Sequence, residues 1–197
     1  MIRMINLFKS IHDGVFTSLE RSTENWFLGL FARFVFGSVL LIYFLNSAQL
    51  KVGSGFPGAL ILTANGYVQI LSEKVFETYS FNINNAPLFP DTLIVYAGTY
   101  AEFILPVLVV IGLFTRLASL GMLGFIMVMT YVDIALHNID AATIGHFFDR
   151  IQDSAISDQR LLWILPLIYL VLKGPGLISI DTLIGRLFKK DDIDATG

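Results

Sequence analysis

Apolar residues run along this chain in long blocks, and the blocks differ in the few polar residues that interrupt them. From Trp26 to about Ala48 the one charge is Arg33, and from about Thr92 to Phe114 it is Glu102. A third block runs from Leu117 to about Leu136 with Asp133 near its outer end, and a fourth starts at Leu161, contains Pro166 and fades into Lys173 and Gly174-Pro175-Gly176. Each approaches the roughly 20 residues that a helix needs to cross the hydrocarbon of a bilayer. The pattern predicts an all-α integral membrane four-helix bundle with spans at about 26–48, 92–114, 117–136 and 161–178. Arg116 sits in a tight turn, so the second and third spans form an antiparallel hairpin.

The remaining segments carry other periodicities. Ile2, Ile5, Phe8, Ile11, Val15, Phe16 and Leu19 recur at helical spacing among Arg3, Lys9, Asp13 and Glu20. They predict an N-terminal interfacial amphipathic helix, with a poorly ordered tail as the alternative. The same dispersed charges do not fit the uninterrupted apolar core of a secretory signal peptide. After Lys51, an uncharged stretch is broken by Gly53, Gly55, Pro57, Gly58, Asn65 and Gly66. A spanning helix there would have to satisfy each freed backbone group in lipid, so residues 52–72 read as interfacial or re-entrant, with a fifth crossing left open. Val68, Leu71 and Val75 beside Glu73, Lys74 and Glu77 suggest a surface helix, and Asn82 to Pro87 with Pro90 close the connection. The chain thus divides into an N-terminal cytoplasmic segment (1–25), a membrane domain (26–183) and a short cytoplasmic tail (184–197).

Composition agrees with a lipid-facing exterior. Hydrophobic residues make up 55% and charged residues 15%, too little polar surface to cover a soluble globule of 197 residues. The net charge of -3 and the lack of a basic stripe exclude a nucleic-acid groove. Cysteine is absent, which removes thiol nucleophiles, disulfides and thiolate-held metals. With four spans, Arg3, Lys9, Arg21, Arg116, Lys173, Arg186, Lys189 and Lys190 fall on one side, against Lys51, Lys74, Arg150 and Arg160 on the other. The positive-inside rule then places both termini in the cytoplasm.

Few residues can carry chemistry. Glu102 lies about ten residues from either end of its span, where an ionised carboxylate needs a partner or an aqueous cavity. Pro106 cannot donate to the Glu102 carbonyl, so a carboxyl and a free acceptor lie side by side. Such a pair suits a proton relay, a cation site or contact with a quinone or other headgroup; the alternative is a salt bridge that sets helix register. Arg33, about seven residues or 10 Å inside the first span, is the expected partner of Glu102, unless it snorkels to the headgroups. At the outer rim, Asp133, His137 and Asp140 share a helical face by their i, i+4, i+7 spacing, and His146 with Asp149 repeats the His-x-x-Asp spacing. His137, Asp140, His146 and Asp149 are weak metal candidates, against helix-end hydrogen bonding and a solvated acidic loop, and no recognised metal signature is present. Neither His137 nor His146 lies deep enough to hold haem. Gly174-Pro175-Gly176 reads as a helix stop rather than a phosphate loop, and no Ser or Thr occupies a recognisable nucleophile elbow.

Three stretches together resemble the DoxX family of small four-span bacterial membrane proteins. They are Arg33 early in span one, Ala101-Glu102-Phe103 through Gly112-Leu113-Phe114-Thr115-Arg116, and Gly174-Pro175-Gly176-Leu177-Ile178-Ser179-Ile180-Asp181. The resemblance implies a four-helix bundle in the bacterial inner membrane. Some relatives are subunits of a thiosulfate:quinone oxidoreductase, and others accompany oxidative-stress or sulfur proteins or sit beside proteins that make metal-binding peptides. The long connections after spans one and three depart from the usual family pattern. The expectation is an accessory or anchoring subunit without its own catalytic activity, holding a quinone or other lipophilic molecule near Arg33 and Glu102. A proton- or cation-coupled transporter and a quinone-linked oxidoreductase subunit are the alternatives. The expected partners are the bilayer, a membrane or periplasmic protein and, as an open alternative, further copies of the chain.

Overall fold

The spacing of buried residues dictates how the first long helix packs. In the computed structural model, which describes residues 2–194, Ala32, Phe36, Leu40, Phe44 and Ala48 are all buried on one face of the helix Phe27–Gln49. A strict four-residue spacing drifts about 40° per step around an ideal helix, or about 160° over the run. The wide π-turn at Gly37–Leu41 takes back about one residue of that drift and keeps the stripe facing inward.

In chain order the helices are α1 (Ile2–Thr23), α2 (Phe27–Gln49), α3 (Ala64–Leu71), α4 (Glu73–Glu77), α5 (Leu93–Ile111), α6 (Thr115–Leu136), α7 (Ala141–Ile144), α8 (Ser157–Lys173) and α9 (Ile180–Asp194). Among the described residues there is no strand, only an isolated bridge between Val52 and Leu62. Among the described residues, three stretches are long and apolar enough to cross a membrane: Phe27–Gln49, Leu88–Ile111 and Thr115–Leu136. Helix α8 covers 17 residues, about 26 Å. It starts four residues before the expected 161–178, and it ends early because Gly174 adopts φ +84 and stops it. The chain is thus a multi-pass membrane protein. Exposed Phe34, Ile42, Leu117, Met127, Leu162 and Leu172 give its long helices a lipid-facing surface.

Helix α6 lies between α5 and α8, while α2 packs its first half on α8 and its second half on α5. Val109, Ala118, Met122, Ile126, Leu167 and Leu170 meet the α2 stripe in one apolar core. The connection after α2 contains no helix long enough to cross a membrane: its longest has eight residues. Leu62, Tyr67, Leu71 and Phe76 pack instead around Val95 in the first turn of α5. Where a single surface helix was expected there are two, separated at Ser72, whose φ is +97. Residue 1 and residues 195–197, the outermost parts of the expected terminal segments, lie outside the described residues.

These contacts give the molecule two ends. The turn end holds the start of α2, the α5–α6 turn at Gly112–Phe114 and the close of α8. The cavity end holds the close of α2, the start of α5, the close of α6 and the start of α8.

Candidate functional site

Glu102 is paired with Lys51, not with Arg33. The Lys51 ammonium lies 2.7 Å from Glu102 Oε2, and both side chains are almost fully buried. Lys51 follows the last turn of α2, and its side chain folds back along that helix instead of reaching out to water. It donates to the Ser47 carbonyl at 3.2 Å and to Ser47 Oγ at 2.7 Å. The C-terminal carbonyls of a helix attract a cation, which favours this inward path. Its three protons are thereby all engaged. A carboxylate offers about four acceptor sites, so Glu102 keeps most of its own.

The pair stands in the wall of a cavity of about 490 Å³ between α2, α5, α6 and the connection after α2. Ile70, Ile94, Leu105, Phe125 and Met129 make the wall largely apolar, while Tyr43, Gln69, Glu102, Asp133 and His137 supply polar groups. That volume and that mixture suit a small ligand with a polar head and an apolar body. Gly98 and Gly121 line the same space, where larger side chains would narrow it.

A second ion pair stands at the cavity's rim. Arg160, in the first turn of α8, reaches Asp133 with one guanidinium nitrogen and Thr130 Oγ1 with the other at 2.7 Å. The expected cluster of Asp133, His137 and Asp140 does not form, because each residue is engaged separately. Asp133 faces Arg160. His137 donates from Nε2 to the Gln69 carbonyl at 3.1 Å, tying α6 to α3. Asp140 caps α7, accepting from Thr143 N at 2.9 Å and Thr143 Oγ1 at 2.6 Å. His146 is exposed, and Asp149 accepts from Ile151 N at 2.8 Å within its own loop. Among the described residues no three His, Cys, Asp or Glu side chains converge as metal ligands would.

Arg33 lies at the turn end. Its guanidinium donates to the Val110 carbonyl at 3.0 Å and to the Ile178 carbonyl. Val110 is eight residues beyond Glu102 in α5, about 12 Å along the axis, which is why the expected pair does not meet. Pro106 stands between these levels. It is buried on the same face as Glu102 and Val109, packed below the cavity. Lys51 and Arg160, the partners that complete the two ion pairs, were missed among the sequence candidates. Ser47 and Lys51 at i, i+4 are the one local signal that pointed to Lys51 turning back along its helix.

The family model for DoxX matches residues 28–137, more than half of the chain. The chain belongs to the DoxX family. The comparison with curated proteins gave no match, and neither did the comparison with solved structures. The matched stretch of this DoxX chain contains Arg33, Lys51, Glu102, Asp133 and His137, so the cavity lies largely within the family domain. The segment Gly174 to Asp181 lies beyond it and forms a strap over the turn end. Asp181 accepts from Phe114 N at 2.7 Å, Thr115 N at 2.9 Å and Thr115 Oγ1 at 2.7 Å, capping α6, and its own N donates to the Gly112 carbonyl at 2.8 Å. Gly112 adopts φ +73, and a β-carbon there would stand 2.7 Å from Ser179 Cβ and 2.8 Å from Arg33 Nη1.

Proposed function

We propose that this DoxX-family protein is a four-helix bundle of the bacterial inner membrane that holds a lipophilic redox molecule of the quinone class in the cavity beside Lys51 and Glu102. It serves as an accessory or anchoring subunit of a redox membrane complex and does not turn over a substrate itself. One observation carries this reading: an apolar-walled space of about 490 Å³ with a buried carboxylate in its wall. In this reading α8 completes the bundle, and residues 26–183 form the membrane domain. Helix α1, whose Ile5, Phe8, Ile11 and Phe16 are exposed, lies along the cytoplasmic membrane surface. The charge bias of the connections supports cytoplasmic termini.

Trp163 supplies the test. It packs against Tyr43, a cavity residue, with ring centroids 5.4 Å apart. In a Trp26→Phe background, Trp163 is the remaining tryptophan. A decyl-tailed benzoquinone is expected to quench it saturably in nanodiscs, and Ala101→Phe, which fills the cavity, to abolish saturation. Quenching that never saturates and is indifferent to Ala101→Phe overturns the reading.

Buried Glu102 favours one second reading, a proton- or cation-coupled transporter. The core beneath the cavity argues against it: Phe36, Val109 and Met122 are closed off between Glu102 and the turn end. Proteoliposomes without Glu102-dependent flux eliminate the transporter.

A further inference from the structure

The cations of the two ion pairs offer the cavity no free charged donor. Lys51 has all three protons engaged on Ser47 and Glu102, and Arg160, which donates to Thr130 and Asp133, is not among the residues that line the space. His137 uses Nε2–H on the Gln69 carbonyl, so that donor is not free for a ligand. The anions keep acceptor capacity in return: Glu102 and Asp133 each line the cavity with lone-pair sites beyond those their cations use. The pairs also cancel in charge, so the space holds no net charge to attract an ionic ligand. Neutral donors remain in Tyr43, Ser47 and Gln69, but hydroxyl and amide groups can serve donor or acceptor ligands alike.

On this basis, and resting on the reading of the cavity as a quinone-class site, we propose that the site selects the reduced, hydroxyl-bearing form of its ligand: a neutral hydroquinone whose O–H donates to Glu102. A quinone has only carbonyl acceptors, and placing one against Glu102 sets lone pairs against lone pairs. A hydroquinone makes an O–H···O⁻ bond there, the charge-assisted kind that is stronger than a neutral one. The apolar wall accepts the body of either form equally, so discrimination falls on the headgroup. A difference of one hydrogen bond to a charged group corresponds to about tenfold or more in affinity.

The experiment compares a decyl-tailed benzoquinone with the hydroquinone obtained from it by dithionite, under argon, as equilibrium uptake into nanodiscs containing the full chain over uptake into empty nanodiscs. The expected result is at least about tenfold tighter binding of the hydroquinone, reduced to within about twofold in Glu102→Gln, whose amide donates and accepts. Because Glu102→Gln changes the partner of a buried lysine, the double variant Lys51→Met/Glu102→Gln is measured beside it, with the same loss of preference expected. The wild-type comparison itself needs no variant. Equal binding of the two forms overturns the selectivity and leaves the cavity reading standing. Uptake no greater than in empty nanodiscs overturns both. A preference that persists in both variants overturns the assignment to Glu102.

Discussion

The two ends of this DoxX protein handle buried charge in opposite ways. At the turn end, Arg33 and Asp181 spend their hydrogen bonds on backbone: Arg33 on the Val110 and Ile178 carbonyls, Asp181 on Phe114 N and Thr115 N. A side chain that satisfies backbone holds chain segments together. At the cavity end, Lys51 with Glu102 and Arg160 with Asp133 satisfy each other, and the anions keep acceptor sites facing open space. The turn end also carries the most recognisable residues of the sequence, Gly112 to Arg116 and Gly174 to Asp181. Recognisability here marks a fastening, because close approach and capping tolerate few residue types, whereas a ligand cavity is walled by many interchangeable apolar ones.

The largest way to break this contrast is at Lys51. Lys51→Met leaves Glu102 buried without its cation, and the loss of one partner of a buried pair is expected to cost about 3–5 kcal/mol. Thermal unfolding in detergent, followed by circular dichroism, reads the effect. Lys51→Met/Glu102→Gln removes the unpaired charge and is expected to recover most of the loss. If the single variant unfolds with the wild type, the pair is not the buried contact described above and the cavity end loses its distinguishing feature.

A smaller effect is expected at the opposite end. Asp181→Ala removes the cap of α6 and three hydrogen bonds to a carboxylate, about 2–3 kcal/mol of stability. Uptake of the decyl hydroquinone per folded molecule is expected to stay unchanged, since Asp181 stands at the turn end and is not among the residues that line the cavity. Asp181→Ala protein that stays folded yet loses ligand would show the two ends to be coupled.

The sequence reading found the long helices because apolar blocks of that length have few alternatives. It singled out Glu102, Asp133 and His137, all of which line the cavity, but assigned Glu102 to one group and Asp133 with His137 to another. It failed on partners, and for a physical reason. Arg33 was matched to Glu102 by estimating depth from the span ends, but α2 closes at Gln49 while the connection folds down over it, so Lys51 arrives at the level of Glu102. A lysine just past a span ordinarily snorkels outward. Its inward turn depends on Ser47 and on the Thr63 N–H bond to the Lys51 carbonyl at 2.9 Å, a tertiary contact across the connection. Arg160 was read as a loop charge because the start of α8 was placed at Leu161, one residue too late to put its side chain on the helix facing Asp133.

Asp140 sharpens the contrast with a third mode, an exposed charge spent locally. The Thr143 hydroxyl, then its backbone N–H, hold the Asp140 carboxyl below the ordinary carboxylate range. With the folded value below the unfolded one, about 3.9, the cap's contribution is complete above that unfolded value and is lost as pH falls through the folded one. Carboxyl carbon NMR of selectively labelled protein in nanodiscs is expected to give Asp140 a midpoint below that of a model aspartate, and Thr143→Ala to move it upward. A helix cap is indifferent to divalent cations, whereas a ligand at a rim metal site competes its protons away and titrates lower when the metal is added. Addition of zinc or magnesium is therefore expected to leave the Asp140 midpoint in place. A joint downward shift of Asp140 and His137 would gather the rim residues into one coordinating group and remove the distinction between local and paired charge at the cavity end.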